Sequence, residues 1–451
     1  MTEVFMNIGL YELDITPPLG SLIPGGFAAR FSDDVDDCLF VRAMVADDGE
    51  RKIALAVIDC CGITHDVVTR IRERVEALAG MQPATVMVMA NHIHAGGPTL
   101  NWGEEIKQDP VYLDFLVIKT ADAIVLADKK KRPLSPKTAL GTAPGLGFIR
   151  IFRMKDQTLV TNPPFGDPNL GEPYTEGDDD VLVLGFFDGD KPVGAVVNFA
   201  CHPAIVAKTY TSADFIGALS ANLKEIYGPR FVTLFVNGAC GNINHINRFD
   251  RSTAAPGRHV YIGQQLAEVT VKLLQEAVAV DAEKVGYAVD TVRLGLRRPS
   301  EEALLEAKAL IDGFGDDFMH QTGKSKQYKD VFFALQTLWR MADKNSFVDA
   351  EVQVFDFGGI TLFGMPAQMF CEYGKALKEA KGKKAIVSIF ANMYLGYCPV
   401  PVCMVPGVYE AKLATSSMLQ SDSGDKLVKT ALELCEKIHT NPVKEAEKVK
   451  K

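Results

Sequence analysis

Three short segments place residues able to bind a metal or move a proton at the ends of apolar runs. The first is Asn91-His92-Ile93-His94-Ala95-Gly96-Gly97-Pro98, which follows the apolar run 84–90. Side chains two residues apart on extended chain point to the same side. His92 and His94 are therefore expected to share one metal ion, or to divide ligation and catalysis between them. Asp59 closes the neighbouring apolar run and is expected to orient a ligand histidine through its second ring nitrogen. The second segment, Asn198-Phe199-Ala200-Cys201-His202-Pro203, ends another apolar run in a histidine. Two such sites in a chain with eight histidines favour a metal, and neutral imidazole suits zinc and its neighbours. The third segment is the apolar run 231–236 followed by Asn237-Gly238-Ala239-Cys240-Gly241-Asn242-Ile243-Asn244. A glycine- and asparagine-rich turn lets a ligand approach the backbone and its N–H groups closely. Substrate binding falls here to Asn242 and Asn244. Taken singly, each segment is also compatible with a polar strand exit or a tight turn.

The elements that must position these segments alternate between strand and helix. Residues 39–46 and 52–59 read as a hairpin about Asp47-Asp48-Gly49. Thr64 then caps a helix to about Leu78, with Val67, Val68, Ile71 and Val75 on one face. A short buried strand at 84–90 leads into the first histidine segment, and 112–126 is helical. Residues 141–177, rich in Gly, Pro and Asp, form a long loop of the kind that carries function in compact enzymes. A hairpin spans 181–187 and 192–199, a strand 231–236 and a helix 261–279. Beyond Val280 come a strand at 287–296, helices at 301–314 and 330–342, two strands within 351–363, and a helix at 426–439. The order predicts a mixed-sheet α/β catalytic domain over 1–440. Its two intimately packed lobes cover about 1–280 and 281–440, and a charged tail follows at 441–451.

Composition narrows the function. The 451 residues carry a net charge of −9, and the one clear basic run is Lys129–Arg132. A nucleic-acid partner is not expected, nor a general attraction to anionic lipid. The longest apolar runs are strand-length, so no membrane insertion is expected. Glu3 stands where a signal peptide would be basic, and no apolar stretch follows. The nine cysteines are scattered without a framework. Both features point to a cytoplasmic protein with free thiols.

Eight motifs in order resemble the catalytic domain of the neutral/alkaline ceramidase family over about residues 7–415. They are Asp14–Pro18 (DITPP); the His92/His94 segment; Gly147–Arg150 leading to Arg153–Asp156 and Asn162-Pro163; His202-Pro203; Ser212-Ala213-Asp214 with Gly217; Asn237–Asn242 (NGACGN); Met365–Phe370; and Gly396-Tyr397 with Tyr409-Glu410, the tyrosines twelve residues apart. The resemblance implies that fold and hydrolysis of a C–N amide bond at one zinc ion. Carried over, the metal ligands are His92, His202, Gln368 and Tyr397, and the catalytic set is His94, Arg150 and Tyr409. His94 is then the proton shuttle, Tyr409 a donor to the substrate carbonyl and Arg150 a substrate clamp.

Two positions depart from the pattern. Gln368 stands where the family has glutamate, and Glu372, four residues on, is an alternative ligand if this stretch is helical. Asn244 stands where some members carry a serine, which favours attack by metal-activated water over an acyl-enzyme. The chain ends where the family's catalytic part ends, so the expected substrate is a small soluble amide, ester or lactone. Two rival readings remain at this point: a ligand-binding or inactive homologue with a weakened metal site, suggested by Gln368, and a cysteine amidohydrolase using Cys240 or Cys201.

Overall fold

The computed structural model describes residues 6–102, 106–280, 284–314 and 326–440. The charged tail expected at 441–451 lies outside them. Eight strands run in one path across the larger sheet: Val232–Asn237, Lys191–Phe199, Asp180–Asp188, Arg132–Thr142, Met6–Asp14, Phe40–Asp47, Lys52–Ile58 and Val86–Ala90. A ninth, Val278–Ala279, pairs with Arg132–Thr142. Most pairings are antiparallel. Lys52–Ile58 with Val86–Ala90, and Lys191–Phe199 with Val232–Asn237, are parallel. A second sheet orders Val285–Gly295, Phe347–Phe357, Ile360–Gly364 and Ala385–Ser388.

The strands of the large sheet are apolar on both faces, as strands covered on both sides must be. Val45, Ala54, Ala56, Val86 and Val88 pack under the helices His65–Ala79 and Pro110–Lys129. The alternate residues Met44, Leu55, Met87 and Met89 face the second sheet and meet Phe355, Leu362 and Ile386. That sheet's far side is covered by Cys371–Ala380 and Ser423–Thr440. The result is four layers: helices, sheet, sheet, helices. Buried polar groups also tie the helix His65–Ala79 and the loop after Ala385–Ser388 to the second sheet. Arg72 donates to Glu351 Oε1 (2.8 Å) and Gln353, and the amide of Asn392 donates to both.

The two parallel pairs lie at opposite ends of the large sheet, yet their ends meet. The sheet curls, and the turn Ile389-Phe390 closes the gap. Ile389 N donates to Asn237 O (3.2 Å), Ala90 N donates to Phe390 O (3.3 Å), and the Asn237 amide donates to Asn91 O (3.0 Å). This closure carries the first and second histidine segments to one place.

Several local expectations change. The helix expected at 261–279 is Arg258–Glu276, after which Val278–Ala279 joins the sheet. Thr64 does sit at the N-cap of His65–Ala79, but its hydroxyl makes no capping bond. The expected loop 141–177 contains short strands, among them Phe148–Ile149, which pairs with Ile243–Asn244 beside the site.

Candidate metal centre

His92 leaves the Val86–Ala90 strand with φ of 72°, in the left-handed region that a bulky side chain seldom adopts. The chain therefore turns at His92, and the expected extended His-x-His does not form. The turn still brings the rings together. His92 Nε2 lies 3.3 Å from His94 Nε2, which lies 2.9 Å from His202 Nε2. Each ring is gripped from behind. His92 Nδ1 donates to Cys61 O (2.6 Å), and His94 Nδ1 donates to Gly25 O (2.8 Å). His202 Nδ1 meets the side-chain amide of Gln368 (2.9 Å). Arg30 fixes the loop carrying Gly25, donating to Pro24 O and His94 O.

Burial holds His92 and His202 well below the ordinary imidazole value and lowers His94 to about 4. All three are neutral rings, the form that binds metals. A carbonyl oxygen only accepts, so the Nδ1 atoms of His92 and His94 carry the hydrogens. Their Nε2 lone pairs then face each other across 3.3 Å. Two opposed lone pairs in a buried site repel, and a cation between them removes the conflict. Nitrogens bound to zinc at about 2.0–2.1 Å in a tetrahedral shell stand about 3.3–3.4 Å apart. The donor set therefore fits a metal ion. Cys61 is a further neighbour, its Sγ 3.7 Å from His92 Nδ1, and it forms a possible metal-holding group with His92 and His94.

The cluster opens on a small cavity of ≈ 50 Å³ walled by Phe27, Trp102, Phe332, Tyr394, Tyr397 and Tyr409. The Tyr397 and Tyr409 rings lie 5.8 Å apart and nearly perpendicular. Burial raises both phenols above their ordinary value, so both stay protonated donors. Arg150 hydrogen-bonds Tyr397, donates to Gly241 O (2.6 Å) and lies 2.6 Å from Glu410 Oε1. A larger cleft of ≈ 730 Å³, lined by Tyr11, Lys130, Arg132 and Arg230, lies away from the histidines.

The other sequence candidates fall elsewhere. Asp59 does not reach a histidine ring. Its carboxylate accepts from Arg42, Phe40 N and the Asn91 amide, and the Cys61 carbonyl orients His92 instead. Asn242 is fully buried, and its amide is bonded inside the protein to Tyr174, Glu372 and Cys371 N. Asn244 donates to Asn162 and accepts from Ile246 N. Glu372 is held by Tyr174 (2.5 Å) and Asn242, away from the rings. Gln368 is beside the cluster but contacts the rear nitrogen of His202. Cys240 is buried, and burial pushes its thiol up to about 12, so it is no ready nucleophile. Cys201 points at Leu146 O while His202 turns the other way.

Sequence reasoning missed Gly25, Cys61, Phe27, Trp102 and Phe332, which have no motif spacing to mark them. It also missed that Glu410 neutralises Arg150.

No family model and no curated protein matches the chain. Solved structures do. Neutral ceramidase from Pseudomonas aeruginosa superposes with a TM-score of 0.69 at 16% identity, covering 98% of this chain and 76% of that one. A ceramidase solved in complex with C2 gives 0.68 at 17%, covering 97% and 75%. The chain has the fold of a neutral ceramidase. At this identity the likeness establishes the ceramidase-like architecture, with its mixed sheet and helical layers, and not the reaction. Among the described residues no helix is long and apolar enough to cross a membrane.

Proposed function

We propose that the protein is a metal-dependent hydrolase that cleaves a C–N amide bond, or a related ester or lactone, of a small substrate, with zinc as its metal. The convergence of three neutral imidazole nitrogens at the floor of a small pocket carries this reading. The ceramidase-like fold supports it.

The metal would be held within the cluster of His92, His94 and His202, where it would polarise a carbonyl and lower the pKa of a water molecule to about 7. The chain's own groups suit the rest of such a reaction. Tyr397 and Tyr409 offer two buried O–H donors for the negative charge that develops on a substrate carbonyl oxygen. A well-placed donor of this kind is worth about 3–4 kcal/mol. Arg150 holds Tyr397 in place and keeps its own charge balanced by Glu410, so it positions a phenol and does not clamp a substrate carboxylate. The aromatic walls exclude water, and the ≈ 50 Å³ cavity favours a small acyl group over a long chain.

The test is elemental analysis of the purified protein with a screen of short-chain amides, esters and lactones, before and after chelation. The expected result is one transition metal per chain, with hydrolysis lost on chelation and restored by zinc. A metal-free protein that takes up no zinc and turns over nothing would favour a ligand-binding role. Chelator-resistant activity abolished by a thiol reagent would favour Cys240.

A further inference from the structure

We infer that the metal is held by the Nε2 atoms of His92, His94 and His202, and that Gln368 is the hydrogen-bond partner that orients His202. This rests on the reading of the cluster as a metal centre and fixes which side chains do the holding.

The observation is an accounting of ring nitrogens. Imidazoles that ligate a metal nearly always have the other nitrogen held by a hydrogen-bond acceptor, which sets the tautomer and aims the free lone pair. All three rings here are engaged at Nδ1: His92 and His94 by carbonyl acceptors, and His202 by the side-chain amide of Gln368, whose oxygen is the acceptor once the amide is turned over. The partners are Cys61 O for His92, Gly25 O for His94 and the Gln368 side chain for His202. All three Nε2 atoms then point inward: the 3.3 Å between His92 and His94 matches the edge of a tetrahedral zinc shell, and the 2.9 Å between His94 and His202 is the length of the hydrogen bond that a metal would replace.

Gln368 fits the rear position and not the front one. It is buried, touches His202 Nδ1, and also hydrogen-bonds the Cys240 thiol behind the ring. A group bonded to Nδ1 stands on the opposite side of the imidazole from Nε2. The two ends of an amide are interchangeable in such an assignment. With its oxygen toward His202, Gln368 accepts the Nδ1 hydrogen as the two backbone carbonyls do. With its nitrogen toward His202, it pushes the hydrogen to Nε2, and His202 then donates to His94 across 2.9 Å. The amide thus accommodates both the loaded and the empty cluster, which a carboxylate, accepting only, does not. Tyr397 is engaged by Arg150, and the fourth side of the cluster faces the pocket.

Cobalt(II) loading of the apo-protein, read by visible absorption and by competition with a chelator, tests the assignment. His92→Ala, His94→Ala and His202→Ala are each expected to weaken cobalt binding at least about 100-fold. Gln368→Leu removes only the rear acceptor. It is expected to weaken binding about 10- to 100-fold while keeping one ion per chain and the same absorption envelope. Gln368→Glu is expected to bind at least as tightly as wild type. Imidazole ¹⁵N shifts of the wild-type zinc form give a second reading that needs no variant to fold. Three metallated Nε2 atoms, each with a protonated Nδ1, are expected. If wild type loads one ion but His94→Ala loads it equally tightly, or Gln368→Leu loses it altogether, this ligand set is overturned and the hydrolase reading stands. If wild type loads neither cobalt nor zinc, both are overturned.

Discussion

Arg150 Nε and Glu410 Oε1 lie 2.6 Å apart beneath the pocket, with Glu410 completely buried. The contact is ionic, without an aligned hydrogen bond. The second Glu410 oxygen accepts from Thr161, whose hydroxyl in turn accepts from Tyr409 N. One buried carboxylate therefore neutralises Arg150 and anchors the segment carrying Tyr409. Removing one partner of such a pair leaves an uncompensated charge, typically at a cost of about 3–5 kcal/mol. Glu410→Ala should lose that much in denaturant titration. The double variant Arg150→Met/Glu410→Leu should recover most of it while hydrolysis stays lost, because Tyr397 no longer has its guanidinium partner. A Glu410→Ala variant as stable as wild type would show that the pair does not hold the pocket.

Gly25 and His94 form a second close relationship. Gly25 has φ of 97°, and a Cβ there would lie 2.6 Å from His94 Nδ1. Gly25→Ala should therefore push the ring off its carbonyl partner and weaken metal binding about 10- to 100-fold. Gly20→Ala is the control. Its φ is 83°, but nothing lies within 4 Å of the new methyl. It should show the backbone strain of about 1–3 kcal/mol in thermal unfolding, with metal affinity unchanged. Equal affinity losses in both variants would mean that general destabilisation, and not the His94 ring, is responsible.

These two sites show where the sequence was readable and where it was not. Strands such as Val86–Ala90 and Val232–Asn237, and helices such as His65–Ala79, follow from local periodicity, and the histidines at the strand exits were recognisable from the same runs. Their meeting was not. It depends on a curled sheet closed by Ile389-Phe390, a contact between segments far apart in the chain. Partners were the least legible. Asp59 follows the strand paired with the one that leads into His92 but is taken by Arg42, while a backbone carbonyl does the orienting, and a carbonyl has no residue signature. Phe27 and Phe332 reach the pocket from distant segments with no spacing to announce them.

Asn242 illustrates the same point at the loop expected to touch substrate. Its amide nitrogen donates to Tyr174 Oη (2.7 Å) and Glu372 Oε2 (2.9 Å), and its oxygen accepts from Cys371 N (2.8 Å). Asn242→Ala strands a carboxylate oxygen and an N–H in the interior, each costing about 1–3 kcal/mol. The expected loss is about 2–4 kcal/mol by denaturant titration, with KM changed less than about threefold in the folded fraction. A large rise in KM at unchanged stability would return Asn242 to substrate binding. Glu372→Gln, made in parallel, should leave metal stoichiometry at one.

Asp37 gives the clearest pH signature outside the metal cluster. Burial raises its carboxyl to about 6, helped by repulsion from Asp59 and Asp36 and opposed by hydrogen bonds from Ala213 N and the Ser212 hydroxyl. An unfolded aspartate titrates near about 3.9. The folded state thus holds this proton more tightly than the unfolded one. The linked stability is fully present below about pH 4 and is lost as pH rises through about 6. Carboxyl ¹³C shifts should show one aspartate with a midpoint near 6. In Asp37→Asn that resonance should vanish, and the variant's stability relative to wild type should improve between about pH 4 and about pH 6 and level off above about pH 7. A midpoint below about 4.5, or a stability difference independent of pH, would show that Asp37 is solvated and that the Ser212-Ala213 turn beneath it is more open than the structure describes.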